Sequence, residues 1–100
     1  MLIMNQRYQF IQAFIDKYAP KSKGVYVFYD GNGNIMYYGK ADKTTVHAKL
    51  CSHLAGNDGK CTQNAISFSW TLTTVPDTVE IQLLEEFKRT MGRLPKCNVG

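Results

Sequence analysis

The chain has 100 residues and a mass of 11.3 kDa, with 12 Lys/Arg against 8 Asp/Glu for a formal charge of +4. At 44% hydrophobic and 20% charged it has the make-up of one globular domain over residues 1–100, which excludes a disordered, collagen-like or coiled-coil chain. No run approaches ~18 apolar residues, so no membrane span is expected, and the excess positive charge permits nucleic acid as a partner without demanding it.

The start, MLIMNQRYQF, lacks a basic segment ahead of an apolar one, so no secretory leader is expected. Phe10, Ile11, Phe14, Ile15 and Tyr18 recur at i, i+3, i+4 spacing, which predicts an amphipathic helix from Gln6 to Tyr18. Pro20 disfavours a helical residue before it and stops that helix. Gly24 to Tyr29 (GVYVFY) and Ile35 to Gly39 (IMYYG) are β-branched and aromatic runs around Asp30-Gly31-Asn32-Gly33-Asn34. They predict a β-hairpin with Val25, Val27 and Tyr29 on one face and Tyr26 and Phe28 on the other.

Thr44 or Thr45 then caps a helix with the stripe Val46, Leu50 and Leu54, closed by Gly56. A polar loop over Asn57 to Asn64 precedes a period-two strand, Ala65 to Thr73. Asp77 and Glu80 have the spacing of a capping box ahead of the stripe Val79, Leu83, Leu84, Phe87 and Met91. Gly92 closes that helix and Pro95 follows. The order α-β-β-α-β-α predicts an α+β fold, a small three-stranded, mostly antiparallel sheet flanked by helices. Cys51, Cys61 and Cys97 lack CxxC spacing and fit a reducing, cytoplasmic compartment better than a disulfide framework.

Two metal motifs fail. Asp30 opens what looks like a calcium loop, but Ile35 and Ala41 stand where glycine and glutamate are needed. Cys51, His53 and Cys61 lack paired spacing, and helical geometry points positions 51 and 53 about 200° apart.

Gly24-Val25-Tyr26, ten intervening residues and Tyr37-Tyr38-Gly39 lie on the hairpin. A helix with Lys49 and His53, a strand, a helix bearing glutamates and Pro95-Lys96-Cys97-Asn98 follow. Over residues 24–98 this pattern resembles the GIY-YIG nuclease superfamily, including its excision-repair and homing-endonuclease catalytic domains. The resemblance implies a hydrolase, a DNA endonuclease domain of repair or recombination, using one Mg2+ or Mn2+ ion. DNA is then the partner, with targeting supplied by a fused or separate domain. It implies that Tyr26 and Tyr37 sit at the scissile phosphate, with Lys40 and His53 as phosphate contacts. Gly39 permits close approach and Asn98 supports the architecture. The family's catalytic arginine is replaced by Lys49, which keeps the charge and loses the planar two-pronged grip on phosphate. A degenerate domain that binds nucleic acid or protein without cutting is the alternative.

The tail alignment favours Glu85 as the metal ligand. A helical wheel at about 100° per residue instead places Glu80 inside the apolar arc and Glu85 at its edge. Glu80 remains the alternative ligand.

Overall fold

A computed structural model describes residues 6–99. Residues 1–5, half of the stretch read for a leader, lie outside the described residues. In chain order the elements are β1 (Tyr8–Gln9), α1 (Gln12–Tyr18), β2 (Gly24–Tyr29), β3 (Ile35–Ala41), α2 (Val46–Leu54), α3 (Lys60–Gln63), β4 (Ser67–Leu72) and α4 (Pro76–Met91). The strands form one antiparallel sheet in the order β1-β4-β2-β3. The α+β class is as expected, with four strands rather than three.

All six residues of β2 are buried because both of its faces are covered. Tyr26 and Phe28 join Phe10, Ile15, Leu50 and Phe68 in a core beneath α1 and α2. Val25, Val27 and Tyr29 point the other way and pack with Leu83 of α4. The two-residue period of the strand thus feeds two cores from one run of apolar side chains. At the hairpin tip the Asp30 carboxylate accepts from the backbone N–H of Asn32 and Asn34, and Gly33 takes a φ of +80°. That is turn chemistry, with the carboxylate spent on the chain itself.

Three local readings need correction. The segment 6–18 is not one helix, because Tyr8 and Gln9 pair with Phe68 and Ser67 of β4. Five apolar residues at helical spacing hid the change of element at Phe10, which is buried between β1 and α1 and donates its N–H to Ile66. Within 57–64 the chain forms the short helix α3. Helix α4 begins at Pro76 behind Val75 and has no side-chain cap, so Asp77 and Glu80 form no capping box. Proline at the first helical position removes one of the N–H groups that a cap would serve. Met91, at the last position of α4, is exposed rather than buried. Thr45 does cap α2, accepting from the Ala48 N–H, and Gly92 ends α4 with a φ of +75°.

The cysteine expectation is also overturned. Cys61 and Cys97 form a disulfide with a Cα–Cα distance of 5.7 Å, leaving Cys51 free. Their pairing depends on where α3 and the tail meet in space, which a separation of 36 residues does not reveal. A reducing compartment therefore has no support from the cysteines. No described helix is long and apolar enough to cross a membrane.

Candidate active site

The two glycines of the hairpin motif are packing requirements. Gly39 lies opposite Tyr26 in the β2–β3 register, and the Tyr26 ring rests on it. A Cβ at Gly39 would stand 2.2 Å from Tyr26 Cζ. A Cβ at Gly24 would stand 2.5 Å from the Thr71 carbonyl oxygen of β4. The tyrosine thus lies flat across the neighbouring strand, with its hydroxyl directed at α2.

There it meets His53. Tyr26 Oη is 2.8 Å from His53 Nε2, and His53 Nδ1 is 2.7 Å from Thr62 Oγ1 on α3. Asp58 Oδ2 lies 3.8 Å from the same Nδ1. A carboxylate on that side favours the proton on Nδ1, so Nε2 accepts from the Tyr26 hydroxyl. Tyr26 and His53 are 0% and 2% exposed, so this chain of hydrogen bonds is sealed from water. Burial holds the His53 pKa well below its ordinary value of 6.5, and the imidazole is neutral at pH 7. Burial also pushes the Tyr26 hydroxyl far above its usual pKa.

Tyr37 projects on the same face and is only partly buried. Its ring centroid is 6.3 Å from that of Tyr26 and 5.4 Å from that of His53. Desolvation, followed by the charges of Glu80 and Asp58, raises its pKa. Both tyrosines are therefore protonated at neutral pH.

Lys49 and Lys40 supply the positive charge. Lys49 Nζ lies 3.9 Å from Asp58 Oδ1. Lys40 is paired with Asp77 in the first turn of α4. Glu80 is one helical turn beyond Asp77, on the helix that packs chiefly against the edge strand β3. Its carboxyl pKa is raised by desolvation and held back by Lys40 and Lys49. Glu80 is partly buried, yet its carboxylate makes no hydrogen bond or contact ion pair with the described residues.

The structure thus brings Tyr26, Tyr37, His53, Lys40, Lys49 and Glu80 into one electrostatically coupled group. It does not bring Glu85 there. Glu85 is exposed, about 140° around α4 from Glu80 at 100° per residue. Its exposure agrees with the helical wheel, which sets Glu85 at the edge of the apolar arc. His53 is a buried link behind Tyr26, with both ring nitrogens occupied, so it is not free to hold phosphate. Asn98 clamps the edge of β3, its Oδ1 accepting from the Tyr38 N–H at 2.9 Å and its Nδ2 donating to the Tyr38 carbonyl at 3.0 Å. Asp58 and Thr62 were missed from sequence. Their only signal was that a buried histidine needs partners for both nitrogens.

Two surface hollows, one of about 390 Å³ beside Lys23 and Leu72 and one of about 310 Å³ beside Phe87 and Arg93, include none of these residues. No protein-family model matches the chain, and no curated protein is significantly similar to it.

Proposed function

We propose that the chain is a divalent-metal-dependent endonuclease domain of the GIY-YIG type, hydrolysing DNA phosphodiester bonds. The observation that carries this reading is the Tyr26–His53 pair laid on Gly39, with Tyr37, Lys49 and Glu80 in electrostatic reach of it. Glu80 suits one hard cation. It offers a partly desolvated carboxylate with no hydrogen bond or contact ion pair to the described residues, and such ions take one or two carboxylates and keep several waters. Glu80 would hold the divalent ion, which when bound would supply positive charge toward a phosphodiester.

The rest follows from the chain's own groups. Tyr37, half-buried and protonated, presents a hydroxyl that orients a water or a phosphate oxygen. Tyr26 donates to His53 and keeps its lone pairs for a neighbouring donor, so it holds that arrangement in place. With its pKa raised, Tyr37 orients the nucleophile rather than deprotonating it, and Tyr26, sealed from water, serves as its support. Lys49 and Lys40 offset charge developing on the phosphate. One hundred residues leave little surface for reading bases, so sequence selection is assigned to a further domain or protein.

The Lys49–Asp58 pair favours a second reading, a degenerate domain that binds nucleic acid without cutting it, because the cation is already partly neutralised. Incubation with supercoiled plasmid and Mg2+ or Mn2+ separates the two. The expected result is EDTA-sensitive nicking that Glu80→Gln abolishes and Glu85→Gln leaves intact. Lys49→Arg should raise the rate by about 10- to 100-fold, the worth of one more charge-assisted hydrogen bond. No nicking by either the parent or the Lys49→Arg protein, with DNA retention that weakens with salt, would establish the second reading instead.

A further inference from the structure

A second group of metal-ligating side chains lies away from the tyrosine site, between α1 and α2. His47 and Cys51 are four residues apart on α2 and share a face, while Asp16 reaches them from α1. The Asp16 carboxylate Oδ1 is 2.9 Å from His47 Nε2. Cys51 Sγ is 4.0 Å from each ring nitrogen. The three donor atoms all lie within 4.8 Å of one another. Cys51 is the one cysteine outside the disulfide.

We propose that Asp16, His47 and Cys51 form a zinc site that fastens α1 to α2. Tetrahedral zinc with oxygen, nitrogen and sulfur ligands holds donor atoms about 3.3–3.8 Å apart. The present separations, 2.9 Å for Asp16 to His47 and 4.0 Å for Cys51 to His47, lie on either side of that spacing. The donor set matches borderline-soft zinc; magnesium and calcium take oxygen donors. Gln12 supports the site. Its Nε2 donates to Asp16 Oδ1 at 2.9 Å and to Cys51 Sγ at 3.4 Å, so one amide orients two ligands. Metal entry converts the Cys51 thiol to a thiolate and releases one proton to solvent. The fourth position is left for water, because Asp16 is exposed and His47 and Cys51 are partly so.

An ordinary Asp16–His47 ion pair would not require the sulfur or the bridging amide. The geometry does not favour a nucleophilic triad. Asp16 holds Nε2, and the thiol lies 4.0 Å from both nitrogens, the outer limit for a sulfur hydrogen bond and too far for direct proton transfer. The site is independent of phosphodiester hydrolysis and of Glu80.

Cobalt titration of the whole oxidised chain tests the assignment. The expected result is a sulfur-to-cobalt charge-transfer absorption saturating at one equivalent and displaced by zinc. Cys51→Ser should remove the absorption, and Asp16→Asn or His47→Gln should weaken cobalt binding at least tenfold. Glu80→Gln should leave the charge-transfer absorption unchanged. On the unaltered chain, zinc should slow alkylation of Cys51 by iodoacetamide at least tenfold. Absence of the charge-transfer band, its persistence in Cys51→Ser, its loss in Glu80→Gln, or an unchanged alkylation rate would each overturn the proposal.

Discussion

His53 couples the candidate site to pH through burial. Its unfolded-state pKa is about 6.5, and desolvation lowers the folded-state value. Below pH 6.5 the unfolded chain takes up a proton that the folded chain refuses. The stabilisation is therefore complete above that pH and shrinks on acidification. Within the window each pH unit costs up to about 1.4 kcal/mol. Asp58 and Lys49 face the same ring, one raising and one lowering its pKa, but burial dominates both. Glu80 has the opposite sign, because its raised pKa lets the folded state hold a proton more readily in mild acid. Urea midpoints measured from pH 7 to 5.5 should fall, and His53→Gln should flatten the slope even though its stability at pH 7 is lower. A midpoint independent of pH in the parent protein would refute the account.

At the level of elements, the hairpin and the helix beneath it work as one unit, since β3 fits under Tyr26 only because Gly39 has no side chain. Gly39→Ala would put a methyl into the ring. The ring is buried and hydrogen-bonded to His53, so it has no easy direction in which to swing. The expected cost is about 2–3 kcal/mol, as for overpacked cores, or roughly 10–20 °C in Tm for a domain of this length. Calorimetry checks it, and a Tm within a few degrees of the parent would count against the packing account. This pair of strands and the α2 and α4 helices were legible in the sequence because periodicity and turn chemistry are local signals. The family resemblance names Tyr26, Tyr37 and Lys49 as candidates, and it favours Glu85 where the wheel keeps Glu80 as the alternative. The two-residue β1 could not be read, since its pairing with Phe68 and Ser67 is a long-range choice laid over a helical apolar pattern. Asp58 and Thr62 were equally hidden, because nothing local marks a polar loop as the lid over a histidine. The Asp16–His47–Cys51 group needed the docking of α1 on α2 to be seen at all.

For the molecule as a whole, the Cys61–Cys97 disulfide joins α3, which carries Thr62, to the tail that carries Asn98. It therefore fastens the back of the tyrosine–histidine chain to the brace on β3. Closing a loop with a separation of 36 residues removes about 4 kcal/mol of unfolded-state freedom in the chain-entropy account. Replacing both cysteines by serine should lower unfolding free energy by about 2–4 kcal/mol, measured by denaturant titration. An unchanged midpoint would mean that the tail is held by other contacts. The same tail has a further consequence. A sheet ending in an open strand offers bare backbone donors and acceptors to any passing chain. Here Cys97 donates to the Met36 carbonyl and Asn98 takes both backbone groups of Tyr38, while the far border ends in the two-residue β1. The tail thus acts as a selvedge over the middle of β3, occupying backbone groups that a neighbouring strand would use. The bonded stretch of β3 is thereby closed to strand addition by a neighbouring chain.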